Sequence, residues 1–257
     1  MAFLERIKKL VEPVQQPAAR TIGKPPSGNG ASSFHLKWET PPVEFVEVSA
    51  TFELLEPPTV EMLYFWAVQV TFVKGRRHQG GAHFGLQYNP LFPESSAVNW
   101  GGYHDGGGGE LEGSVPDLPS TPNHINTRDY PWLPNRQYRF RIHKAEEGWR
   151  GTITDLETET TTVVRDLYVD ADRLLNPMVW SEVFAHCDHP SVAVRWSDLT
   201  VVTSAGEAMN VDTVNINYQT HALGGCANTN SSLDDEGFVQ RTNTERITNI
   251  GERLVFK

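Results

Sequence analysis

Cysteine is nearly missing from this chain: Cys187 and Cys226 are the only two in 257 residues. Two cysteines cannot build the framework of a disulfide-rich secreted domain, and two buried, unbonded thiols are the simpler expectation. Long apolar runs are missing as well, and nothing approaches the roughly 18 residues that a membrane-spanning helix needs. The opening MAFLERIKKLVEPVQQPAAR is amphipathic, without the apolar centre and small-residue cleavage site of a signal peptide. A cytoplasmic, soluble protein is the default, with export left to a non-classical route. Basic charge is in deficit, 22 Lys and Arg against 32 Asp and Glu, for a net charge of -10. That balance excludes nucleic acid and anionic membranes as general partners and suits neutral or cationic ligands. No Gly-x-Ser-x-Gly, phosphate loop, dinucleotide fingerprint or internal repeat occurs.

Helical periodicity is absent after residue 12. Before it, Phe3, Leu4, Ile7, Leu10 and Val11 predict one short helix. Residues 13–33 are rich in Pro, Gly and Ser and read as a linker. From Phe34 onward the texture is alternation. Residues 43–55 set Val46, Val48, Ala50, Phe52 and Leu54 against Glu47, Ser49, Thr51 and Glu53, the signature of a half-buried strand. Residues 61–73 are more continuously apolar and predict a central strand, with Trp66 in the core. Further strands are expected at 83–89, 97–103, 136–144, 149–154, 160–165, 178–187 and 191–203, with Trp196 in the core. After Gly206 the pattern weakens.

About ten strands with turn signals between them predict an all-β protein, an antiparallel β-sandwich of jelly-roll type. Residues 1–33 are expected to form the helix and linker, 34–206 the sandwich, and 207–257 a C-terminal strand or arm. The two extensions are the candidates for holding a protein partner or a second copy of the chain.

One stretch, residues 81–114, has the composition of a binding site. A strand carrying His83, Gly85, Gln87 and Asn89 on one face is followed by Asn99, Trp100, Tyr103, His104 and Asp105, then four glycines and Glu110 and Glu112. Rings under the apolar faces of sugars, with amides for the hydroxyls, are what carbohydrate recognition uses. Gln87, Asn89, Asn99, Trp100, Tyr103, His104, Asp105, Trp132 and Trp180 are therefore the candidate ligand-binding residues for a carbohydrate or small polar ligand. The spacing around Gly101 and Gly102 predicts that Trp100 or Tyr103 is exposed on a concave surface. Asp105, Glu110 and Glu112 offer hard oxygen ligands, a set for a structural calcium; no other cofactor is expected.

Other chemistries compete. Glu110-Leu111-Glu112 places two carboxylates on one strand face, a weak echo of a glycosidase pair. His83 with Arg139, Arg141 and His143 would suit a polysaccharide lyase. His186-Cys187-Asp188-His189 invites a zinc reading, although alternate residues of a strand point apart and a strand-end loop is the better expectation. No residue is assigned a catalytic role.

The segments HFGLQ (83–87), HDGGGGELEG (104–113), WLPNRQYRF (132–140) and WRGTITD (149–155) resemble motifs of a bacterial family of unknown activity with jelly-roll character. The likeness covers residues 64–203 and has no counterpart for 1–33 or 207–257. Together with the strand count, it implies a concanavalin A-like lectin or glucanase sandwich and an association with glycans. Glycan binding is the leading expectation. A glycoside hydrolase or lyase on the same fold, and a structural or assembly protein, are the alternatives.

Overall fold

The computed structural model describes residues 20–257. The helix expected over residues 1–12 lies outside them. The described chain is almost entirely antiparallel β-structure, as the alternation predicts, and its strands form two curved layers joined at one edge.

The first layer contains β1 (Ser32–Trp38), β3 (Tyr64–Lys74), β4 (Arg77–Tyr88), β5 (Ser96–His104), β6 (Thr127–Asp129) and β10 (Arg173–Val183). Its order is β1-β10-β3-β4-β5-β6. The second contains β2 (Phe45–Glu56), β7 (Gln137–Lys144), β8 (Trp149–Asp155), β9 (Thr160–Leu167) and β11 (Ala193–Thr203), in the order β11-β2-β7-β8-β9. A single pair, Leu174 with Phe45, links β10 to β2 and closes one side.

Aromatic side chains fill the space between the layers. Phe52 of β2 packs on Trp66 of β3 with centroids 5.7 Å apart, and Phe84 of β4 meets Phe140 of β7 at 5.4 Å. Phe72 meets Trp149 at 5.4 Å. Trp66 and Trp196 are in this core, as expected. Each such side chain contributes roughly 2–3 kcal/mol of burial. Successive residues of a strand face opposite ways, so the inward Tyr64, Trp66, Val68, Val70 and Phe72 of β3 leave Phe65, Ala67 and Gln69 on the outer face of the first layer. Phe65, Ala67 and Trp180 form a second, small apolar cluster there. That is why β3 reads as continuously apolar: both its faces carry buried apolar side chains.

Residues 207–257 are part of the sheet rather than an arm. They form β12 (Ala208–Asn210), β13 (Thr213–Tyr218), β14 (Asn230–Leu233), β15 (Phe238–Arg241) and β16 (Arg253–Val255). β13 pairs with β1, β16 pairs with β13, and β12 and β15 extend β11. Polar residues stitch this segment, which is why its pattern is weak in sequence. Buried Gln240 accepts from the Trp196 indole at 3.1 Å and the Ser181 hydroxyl at 2.9 Å, and donates to the Phe34 carbonyl at 2.8 Å. The described part of the Pro/Gly/Ser segment is likewise docked. Gly23 donates to Asp188, Cys187 donates to the Gly23 carbonyl, and Ala227 donates to the Arg20 carbonyl.

Cys187 and Cys226 are bonded to each other, with Cα atoms 5.6 Å apart. The expectation of two free thiols fails because β13 and β14 bring residue 226 back onto the end of β10. The bond pins the C-terminal segment to the first layer. Among the described residues, no helix is long and apolar enough to cross a membrane.

Candidate functional site

The outer face of the first layer is concave and carries the site. Strand register sets its side chains in rows. One row runs Ser33, Glu182, Phe65, Gln87, Ala97; the next runs His35, Trp180, Ala67, Gly85, Asn99, Thr127; a third runs Met178, Gln69, His83, Gly101. Ala67, Gly85 and Gly101 have little or no side chain, and the larger neighbours wall a trough above them. Its volume is about 570 Å³. A second lobe of about 390 Å³ continues it past Gln69, His83 and Tyr103 toward His104 and Asp105.

Side-chain amides line the trough, and Gln69, Gln87 and Asn99 each have one end tied. The Trp180 indole N–H, which can only donate, bonds Oε1 of Gln69 at 3.0 Å. That fixes the Gln69 amide with its NH2 toward the trough. Asn89 Nδ2 donates to Gln87 Oε1 at 3.0 Å, so the Gln87 NH2 is likewise presented. Asn99 is the opposite case: its NH2 donates to Thr127 Oγ1 at 2.8 Å, and its buried Oδ1 has no partner.

Glu182 stands at one end of the trough, half-buried on β10. Asn29 Nδ2 donates to its Oε1 at 2.7 Å and the Ser33 hydroxyl at 3.4 Å, while Oε2 bonds no described residue. Burial raises its pKa above the ordinary carboxylate value, more than those hydrogen bonds lower it. Gln87 lies in the same row, one strand beyond Phe65, so their Cα atoms are about 9–10 Å apart. A group resting on Phe65 would lie between the carboxyl and the amide.

His83 sits among rings: Phe65 at 5.4 Å, Trp180 at 6.0 Å and Tyr103 at 6.5 Å between centroids. Burial lowers its pKa to about 4, so it is neutral near pH 7. His35, against the other side of Trp180 at 6.3 Å, is also lowered to about 4, by burial and then by Lys37.

The expected ligand residues divide. Gln87, Asn89, Asn99, Tyr103 and Trp180 line the main lobe, and His104 and Asp105 the second. Tyr103 is 56% exposed, as the spacing predicts for one of the two rings. Trp100 is not on this face. It is fully buried, donating to the Trp149 carbonyl at 3.3 Å, because the register that turns Asn99 and Gly101 outward turns residue 100 inward. Trp132 is also behind the sheet, its indole bonded to the Gln87 carbonyl at 3.1 Å and its ring against Trp66.

Asp105, Glu110 and Glu112, the calcium candidates, face different parts of the surface. Among the described residues, no three His, Cys, Asp or Glu side chains are arranged to hold a metal ion. Glu110 accepts from Asn126 at 2.9 Å on the trough wall, Asp105 faces the other lobe, and Glu112 faces neither. Nor do Glu110 and Glu112 form a carboxylate pair in the trough. Glu110 and Glu182 are the carboxylates there; Glu110 lies beyond β5, opposite Tyr103, so four strand spacings and three two-residue rows separate its Cα from that of Glu182. That is roughly 20–30 Å, far beyond the roughly 5–9.5 Å between the carboxyls of a glycosidase pair.

The lyase grouping also separates. Arg139, Arg141 and His143 lie on β7 in the other layer, with Arg141 paired to Glu47 and Arg139 to Asp198. His186 and His189 stack on one another at 4.6 Å in a strand-end loop. Gln69, Glu182, Ser33 and Phe65 carry no motif in sequence. Only an alternation that is apolar inward and mixed outward hints at them.

No family model matches this chain, and no curated relative does. Similarity is found among solved structures. A scytalido-glutamic peptidase bound to a peptide-based transition state analog has a TM-score of 0.42 at 11% identity, over 86% of this chain and 99% of its own. SCP-B, a member of the eqolisin family of peptidases in complex with the tripeptide Ala-Ile-His, has a TM-score of 0.40 at 10% identity, with the same coverage. At these values no site residue is carried over from either protein to this chain.

Proposed function

We propose that the concave face is a hydrolytic groove for an extended, amide-bearing chain, with Glu182 as its general acid and base. The observation that carries this reading is Glu182 itself: a half-buried carboxyl with a raised pKa, one oxygen held and the other free, at the end of a trough of oriented amides. A carboxyl in that state can take a proton from an attacking water and return it to a leaving nitrogen. The Gln87 NH2 would donate to the oxygen on which negative charge develops. Water adds to the carbonyl carbon, the C–N bond breaks, and the proton taken by Glu182 leaves with the amine.

Among the amides of the trough, Gln69 and Gln87 each leave an NH2 donor free, and Asn99 leaves a buried, unpartnered Oδ1 in the wall. An extended peptide presents the complementary acceptors and donors at intervals set by its own strand geometry. A glycan-binding role is the second reading, favoured by the exposed Tyr103 ring beside these amides. It is the weaker one, because Trp180 is packed edge-on to Phe65 and His83 and tilted against His35, which leaves Tyr103 as the open platform.

The test is cleavage of a mixed peptide library followed by mass spectrometry across pH 3–8. Products are expected from the wild type, with a loss of at least 100-fold in Glu182→Gln and a smaller loss in Gln87→Ala. Equal cleavage by wild type and Glu182→Gln would refute the assignment. Binding to a glycan array without any peptide cleavage would favour the second reading.

A further inference from the structure

The geometry points to a subsite for a basic side chain at the junction of the two lobes, formed by Tyr103 and Glu110. This inference rests on the peptide reading of the groove. Tyr103 and Glu110 face each other as an isolated antiparallel bridge. The flanking backbone bonds, His104 to the Gly109 carbonyl and Leu111 to the Gly102 carbonyl, make them a non-hydrogen-bonded pair. Side chains of such a pair lie close together on one face. A ring beside a carboxylate accepts an ammonium or guanidinium group through the ring face and the charge at once.

Three further observations agree. First, no Lys or Arg lines either lobe, so nothing in the groove competes for the carboxylate. Second, among the described residues Glu110 makes no ion pair, and its Oε1 makes no hydrogen bond. Third, Asn99, only 6% exposed, lines the same trough, and its buried Oδ1 has no partner, so the wall holds an acceptor that the fold does not satisfy. The carboxylate is also held in place. Asn126 donates to Glu110 Oε2, and its own Oδ1 accepts from Arg165 at 2.7 Å. Arg165 is buried behind this wall, where it also donates to the Ile125 carbonyl, so its charge is kept one amide away from the groove.

The experiment measures binding, not turnover, so that it reads the subsite apart from catalysis. Fluorescent hexapeptides that differ only in Lys or acetyl-lysine, placed at each position in turn, are titrated against Glu182→Gln with and without Glu110→Gln. At one position the Lys peptide is expected to bind about tenfold more tightly than its acetylated twin. Glu110→Gln keeps the acceptor for Asn126 and removes the charge, so it should bring the two within twofold and leave the acetylated peptide unchanged. Raising the salt from 50 to 500 mM should erode the same preference. Equal binding of the twins, or a preference that survives Glu110→Gln, would overturn the subsite alone. No binding by any peptide would overturn the groove reading and the subsite with it.

Discussion

At the scale of single residues, the concave face is built from titratable groups that are not allowed to behave as in water. Burial raises the pKa of Glu182 above its ordinary value of 4.5, so between that pH and its native pKa the folded chain holds a proton that the unfolded chain has lost. Stability is therefore full below about pH 4.5, falls as pH rises through the native pKa, and stays lower above it. Glu182→Gln removes this penalty. The variant is expected to melt above the wild type at pH 7 and level with it near pH 4, measured by scanning calorimetry. A variant less stable at pH 7 would contradict the burial argument.

His35 and His83 act in the opposite direction. Both are lowered from 6.5 to about 4, so their contribution is present above pH 6.5 and is lost as pH falls toward 4. His83→Asn should flatten the acid limb of the melting-temperature profile in that window. These residues were only partly legible in sequence. Gln87, Asn89 and Asn99 stood out because amides interrupt otherwise apolar strands. Glu182 did not, since one Glu in the alternation of 178–187 looks like any solvated position until the neighbouring strands bury it.

At the scale of elements, close packing makes small residues decisive. A Cβ on Gly101 would come within 2.7 Å of the Asn126 side chain, which in turn holds Glu110. Gly101→Ala should therefore weaken ligand binding through a displaced wall while costing stability only modestly, about 1–3 kcal/mol. A ligand affinity unchanged from the wild type would show that the wall yields freely. The disulfide is the second element-scale device. It joins residues 39 apart, and reduction or Cys226→Ser should cost about 2–4 kcal/mol in a urea titration.

The sequence could not disclose that bond, because pairing depends on how β13 and β14 return to the end of β10. It hid the C-terminal strands for a related reason. Their stabilising groups are polar, such as Gln240, Thr248 and the Tyr218 hydroxyl, which bonds Thr248 at 2.7 Å and accepts from the Ser231 N–H at the same distance. Patterning that counts apolar residues passes over such contacts. The same docking means that deletion through residue 32 should lower the melting point, since Ala31 and Ser32 are buried and β1 starts there.

At the scale of the whole molecule, alternation was enough to predict two antiparallel layers with an aromatic core. It could not say which face of which layer is concave, because curvature comes from how the strands pair and twist, not from one strand's composition. That is why Trp100 and Tyr103, three residues apart, went to opposite sides of the sheet, and why the arginines of β7 turned out to be remote from His83. The groove follows from the pairing order β1-β10-β3-β4-β5, which sets Glu182, Phe65 and Gln87 in one row. The central claim is that this row receives an extended peptide. The most direct measurement is a crystal structure of Glu182→Gln soaked with a peptide that the wild type cleaves. The account predicts a chain lying over Phe65, one carbonyl between residues 182 and 87, and backbone bonds to Gln69 and Asn99. A peptide bound elsewhere, or in the groove with no carbonyl near Gln87, would contradict it.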